Sequence, residues 1–251
     1  MNDYRQCAAD LIDWLHLTMP PIAIALRDAV PGGIPSFEGV LPAGCAFWGE
    51  AAKRTFATST KNHELCAVGV YTHHLSEPSA SFQAELGEVL KAMSGLDYVR
   101  PDEIAAIPVV KHEVKHVLYG PLSAFPLDPD VVLVFADARQ SLVITEAVAR
   151  VDKGVPPAMG RPACALIPQV VNGSAAAMSL GCCGARAYLD ALTESTALWA
   201  FPGNRLDDYC KQIGVLARAN QTLSTFHARR REDVESGKRP TVSQSLERLS
   251  S

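Results

Sequence analysis

Five consecutive apolar, β-favouring residues, Val131-Val132-Leu133-Val134-Phe135, constrain this chain more than any other feature. A strand with one wet face alternates apolar and polar residues. An unbroken run needs burial on both faces, which a central strand of a covered sheet provides. Weaker strand signals fall at residues 22–26, 55–60, 114–118 and 175–180, with a turn over 119–122. Between them lie helical patterns. Residues 3–17 place Tyr4, Ala8, Leu11, Ile12 and Leu15 on one face, and residues 79–95 do the same with Phe82, Leu86, Val89, Leu90 and Met93. Further helices are expected near 46–53, 138–151, 163–171 and 182–192. A long one over 206–231 carries a stripe of Leu206, Tyr209, Ile213, Leu216, Leu223 and Phe226. The pattern predicts an α/β (or α+β) protein, with one or more mixed sheets packed against helices.

The 251 residues are 48% hydrophobic, enough for a full core and incompatible with disorder as the main state. A net charge of −4 offers no field for nucleic acid, and the run Arg229-Arg230-Arg231 is neutralised by Glu232, Asp233 and Glu235. No apolar window approaches the roughly 20 residues a bilayer span needs. The start of the chain lacks the basic and apolar regions of a signal peptide. A cytoplasmic protein is therefore expected, with neither membrane nor nucleic acid as partner. Residues 232–251 read as a polar tail that packs loosely or against a second subunit of a homo-oligomer.

The chain also resembles itself. An apolar run ending in Asp28-Ala29 recurs as the run ending in Asp137-Ala138. Cys45-Ala46 recurs as Cys164-Ala165, and Cys66 recurs as Cys183, each five residues before a tyrosine, Tyr71 and Tyr188. Three matches in the same order suggest an internal duplication with pseudo-twofold symmetry. The expected organisation is an N-terminal helix over 1–20, repeat halves over 21–125 and 126–231, and the tail. Two cysteines from each half would then converge near the axis.

Seven cysteines need an account in a compartment where structural disulfides are uncommon. Cys7 and Cys210 fall on or near apolar stripes and read as core. Cys45, Cys66, Cys164 and Cys183 stand at expected helix starts, with Cys182 as substitute or neighbour. Four thiolates are the usual ligand set of an iron–sulfur cluster, [4Fe–4S] foremost, with zinc or no metal as alternatives. Buried small hydrophobes would use the same residue type. Neither a CxxC pair nor a ferredoxin-type run is present.

Gly181-Cys182-Cys183-Gly184-Ala185-Arg186 is the densest local motif, with room for close backbone approach and a fixed charge in Arg186. Arg186 could lower a neighbouring thiol's pKa or hold a carboxylate. His63, three residues before Cys66, is the other catalytic candidate, and one of His73 and His74 is expected to face the same cavity. Three functions follow. The first is an iron–sulfur protein, an oxidoreductase or other iron–sulfur enzyme, with a redox or Lewis-acid role on a small-molecule substrate or an electron-transfer partner. The second is a metal-free enzyme using a Cys182 or Cys183 thiolate, activated by Arg186 and His63. The third is a non-catalytic ligand-binding or assembly module.

Leu118-Tyr119-Gly120-Pro121-Leu122, Pro129-Asp130-Val131-Val132 with Arg139-Gln140, and Ser179-Leu180-Gly181-Cys182-Cys183-Gly184-Ala185-Arg186 resemble the domain-of-unknown-function 169 family. Phe201-Pro202-Gly203 and Ala219-Asn220 are similar to it as well. The resemblance runs from about Pro21 to Phe226. It implies a soluble prokaryotic protein with cysteine-bearing motifs and suspected iron–sulfur binding.

Overall fold

The computed structural model describes residues 3–248, with the side chain of Cys183 outside that description. In chain order the elements are α1 (Tyr4–Leu15), β1 (Ile22–Arg27), α2 (Ala46–Ala51), β2 (Phe56–Thr58), α3 (Ala67–His73), α4 (Ala80–Gly95), α5 (Pro101–Ala105) and β3 (His116–Pro121). Then come β4 (Val131–Asp137), α6 (Ala138–Val151), β5 (Ala158–Met159), α7 (Leu166–Gly173), β6 (Ala177–Ser179), α8 (Cys183–Tyr188), β7 (Thr196–Pro202), α9 (Leu206–Glu235) and α10 (Val242–Glu247). The seven strands form one sheet in the order β2-β3-β1-β4-β7-β6-β5. All neighbours are antiparallel except the edge pair β6 and β5. The fold is therefore α/β with a mixed sheet.

β4 lies between β1 and β7, and its side chains explain the unbroken apolar run. Val131, Leu133 and Phe135 enter one core, with Phe47 and Trp48 of α2, Val70 of α3 and Ile167 of α7. Val132, Val134 and Ala136 enter the other, against Leu11 of α1, Ile144 of α6 and Ile213 of α9. Both faces are dry, so alternation is lost, and each large side chain buried contributes about 1.5–3 kcal/mol. Outwards from the β1–β4 pair, the first half of the chain supplies β3 then β2, and the second half β7 then β6. β5 has no counterpart in the first half.

Several motif residues hold this frame. The Asp130 carboxylate accepts from Leu26 N at 2.7 Å and from Arg27 Nη1 at 2.6 Å. Gly203 N donates to Asp130 O at 3.0 Å, and a β-carbon on Gly203 would overlap the Pro129 carbonyl, so only glycine fits there. Asp137 and Gln140 cap α6 reciprocally. Gln140 also donates to Leu15 O and His16 O, tying the end of α1 to α6.

The expected turn over 119–122 begins only after Pro121. Tyr119 and Gly120 pair with Ile24 and Ala23, so β3 runs longer than its apolar run suggests. The helix expected over 182–192 ends at Tyr188, and β7 follows it as a strand that the pattern did not single out. Ile12 and Leu223, assigned to apolar stripes, are 38% and 50% exposed. The tail holds α10, with Arg248 and Lys238 both paired to Asp233 of α9 at 3.0 and 3.2 Å. Among the described residues no helix is long and apolar enough to cross a membrane.

Candidate functional site

α2, α3, α7 and α8 cover the face of the sheet opposite α1, α6 and α9. Their starts bring thiols together. Cys45 is the N-cap residue of α2, Cys66 that of α3, and Cys182 that of α8, while Cys164 sits in a 3-10 turn leading into α7. These four cysteines, from four separate segments, line a single cavity of about 650 Å³. Cys45 and Cys164 are buried; Cys66 and Cys182 are half-buried. The side chain of Cys183 lies outside the described residues. Cys7 and Cys210 belong to the core on the other face, as expected for packing cysteines. All six described cysteines are free thiols. Among the described residues no three His, Cys, Asp or Glu side chains stand close enough to hold one metal ion as they are arranged.

The Cys66 sulfur occupies space that two glycines leave open. A β-carbon on Gly69 would lie 2.9 Å from Cys66 Sγ, and one on Gly44 would lie 3.5 Å from it and 3.1 Å from His63 Nδ1. The backbone N–H groups of Gly44 and Gly69 point at this sulfur and favour its thiolate, but burial outweighs them and raises the thiol pKa. Burial likewise pushes Cys45 up to about 12, with the nearby Cys66 and Cys182 adding to the shift. Cys164 is raised by burial and then by Cys66, although the Thr72 hydroxyl opposes this. The ligand-free thiols Cys45, Cys66 and Cys164 are therefore protonated at neutral pH and are poor nucleophiles.

Beneath the sulfurs lies a layer of buried polar groups. Tyr119 of β3 is fully buried, and burial followed by the proximity of Cys66, Cys164 and Cys45 holds its phenol protonated. The His63 ring lies 6.5 Å from Tyr119 and 6.0 Å from His73. Thr58 Oγ1 donates to Val117 O at 3.0 Å, and a hydroxyl has one proton, so its contact with His63 Nε2 at 3.1 Å must be donated by the imidazole. His63 Nδ1 is then a bare lone pair on the side of Gly44 and Cys66. His63 Nδ1, both ring nitrogens of His73 and the Tyr119 hydroxyl are buried without a hydrogen-bond partner among the described residues. Unpaired buried polar atoms are rare, and a concentration of them is a mark of a ligand site.

Arg186 is engaged otherwise than as a free charge. Its guanidinium donates to the carbonyls of Leu180, Leu192, Thr193 and Thr196, and so clamps the segment that carries Cys182. His74 is exposed and bonds Val110 O at 3.0 Å, so the buried member of the histidine pair is His73. Tyr119, Thr58, Thr72, Gly44 and Gly69 were not singled out from the sequence. Tyr119 alone carried a signal, as part of a motif that resembles the family, although it was expected in a turn.

No curated protein and no solved structure matches this chain. A profile of the domain-of-unknown-function 169 family, described as uncharacterised ArCR, matches residues 10–212. That match takes in most of the chain and every cysteine of the cavity, and the chain belongs to the domain-of-unknown-function 169 family.

Proposed function

We propose that this protein binds an iron–sulfur cluster in the cysteine cavity and acts with it on a small molecule as an oxidoreductase. The observation that carries the reading is the convergence of Cys45, Cys66, Cys164 and Cys182 from four segments onto one cavity. An all-sulfur donor set suits iron–sulfur clusters and zinc. Structural zinc sites close four ligands around one ion, whereas these sulfurs face an open cavity, which favours the cluster. Cys45, Cys66 and Cys164 would hold it, with a fourth ligand from the Cys182-Cys183 pair. Bound there, the cluster supplies one-electron transfer or Lewis acidity at iron.

The chain's own groups have separable roles. The N–H groups of Gly44 and Gly69 stabilise charge on the Cys66 sulfur. Tyr119, protonated and facing three of the thiols, can donate to a sulfur or a bound group. His63, with its tautomer fixed through Thr58, offers an acceptor lone pair beside Cys66. Arg186 positions the Cys182 segment. The raised thiol pKa values argue against Cys45, Cys66 or Cys164 as a free nucleophile. A thiolate enzyme using Cys182 or Cys183 remains the second reading, and it needs only one of the four converging cysteines. The free state of the described thiols suits a reducing cytoplasm.

Anaerobic purification followed by iron and acid-labile sulfide analysis tests the proposal. Brown protein absorbing at roughly 400 nm, from sulfur-to-iron charge transfer, is the expected result. Colourless protein free of iron and sulfide, even after reconstitution with ferrous iron and sulfide, would overturn it.

A further inference from the structure

The cysteines form only one side of the cavity. A second wall comes from α4, the segment joining it to α5 and the end of α5: Leu90, Met93, Val99 and Ile107, with Leu96 and Tyr98 also lining it. None of these side chains is a thiolate and most are aliphatic, so the space they enclose suits something other than a cluster. The charged groups on the lining are Glu103 and Arg161, which pair with each other at 3.9 Å. Arg161 also donates to the Tyr98 carbonyl and lies over the Tyr98 ring, 4.8 Å from its centre. Both charges thus have partners within the protein, and the rest of the lining carries none. About 650 Å³ is ample for a small-molecule site, and such sites are mostly apolar with a few polar groups that fix orientation.

α4 is built to line a cavity. Of its sixteen residues only Phe82 is fully buried. The rest of its apolar stripe, Leu86, Val89, Leu90 and Met93, is half-buried, with Leu90 and Met93 facing the cavity. Such a stripe completes its burial when an apolar molecule enters.

We propose that the cavity binds an uncharged, apolar small molecule between the α4–α5 wall and the cysteine floor. The proposal deepens the preceding reading by naming the substrate class of the same site, yet the wall exists whether or not iron is bound. The probe is 1-aminoanthracene, titrated into the full chain as purified anaerobically and again after chelator treatment, with fluorescence as the readout and iron measured on each sample. One saturable site is expected. Leu90→Asp and Ile107→Asp should each weaken it at least tenfold with circular dichroism unchanged, while Leu223→Asp on the exposed side of α9 leaves it intact. Leu90→Trp, which fills the space without adding charge, should also block it, and anthracene carboxylate should bind at least tenfold more weakly than the amine. Folded Leu90 and Ile107 variants that bind as tightly as wild type would overturn the proposal, as would an equal loss in Leu223→Asp. Probe binding by protein that carries no iron as purified anaerobically and takes up none on reconstitution sinks the cluster reading alone; iron without probe binding sinks this one alone.

Discussion

Cys66 Sγ stands 2.9 Å from the point that a β-carbon on Gly69 would occupy, although both residues belong to the same turn of helix. Alanine normally favours a helix over glycine by about 1 kcal/mol. Gly69→Ala should therefore stabilise α3 locally while forcing the Cys66 sulfur out of its seat. We expect at least a several-fold loss of bound iron with little change in melting temperature. Iron content and thermal unfolding measured together check this, and unchanged iron would show that the sulfur can move without consequence.

The adjacent pair Cys182-Cys183 separates two registers of the internal repeat expected from the sequence. On the repeat, Cys183 is the counterpart of Cys66, and neighbouring residues at a helix start point about 100° apart. Cys183→Ser should remove most iron and Cys182→Ser should retain it. The reverse outcome moves the register by one and makes Cys182, which lines the cavity, the ligand. Cys7→Ser and Cys210→Ser, on the other face of the sheet, should leave iron unchanged in the same assay.

Acid sensitivity follows from the buried imidazoles. Burial lowers His63 to about 3, helped by His73, and lowers His73 to about 4, against an ordinary value of 6.5. Between those values the unfolded chain binds protons that the folded chain refuses. Stability is therefore complete above pH 6.5 and falls as the pH drops towards 4, by on the order of 1.4 kcal/mol per unit for each histidine. Urea unfolding of iron-free protein at pH 7 and pH 5 should show the loss, and His73→Phe should roughly halve it.

Asp152 is a structural anchor on the opposite face. It accepts from Tyr209 Oη at 2.8 Å and Ala176 N at 3.2 Å, and pairs with Arg205 at 3.0 Å, while almost wholly buried. Removing one partner of such a buried set strands the others, at a cost of about 3–5 kcal/mol. Asp152→Ala should lower stability by that order, read as a shifted urea midpoint, without altering iron content.

The duplication expected from the sequence makes a geometric prediction. Superposing residues 21–71 on 130–188 in an experimental structure should bring Cys45 onto Cys164 and Cys66 onto Cys183. Correspondence of strands without correspondence of cysteines would separate the fold's regularity from any shared site.

What the sequence determined by itself was local. The run from Val131 to Phe135 could be satisfied only at the centre of a covered sheet, and the amphipathic stripes of α1 and α9 fixed most of the residues that turn inward. Those signals depend on side-chain period, which neighbours along the chain set. β7 was hidden because its unbroken apolar run, Ala197-Leu198-Trp199-Ala200-Phe201, contains two alanines and no β-branched residue, and the exposure of Leu223 because α9 runs on past the sheet it packs against. The cysteines could be placed at helix starts from sequence, but no spacing says that residues 45, 66, 164 and 182 share a cavity. Only the crossovers and connections from β1 to β2, β2 to β3, β5 to β6 and β6 to β7 lay α2, α3, α7 and α8, respectively, on one face of the sheet. The same crossovers put Tyr119, His63 and His73 beneath the thiols, and the α4–α5 wall over them, because contacts between distant segments are fixed by sheet order rather than by any local pattern.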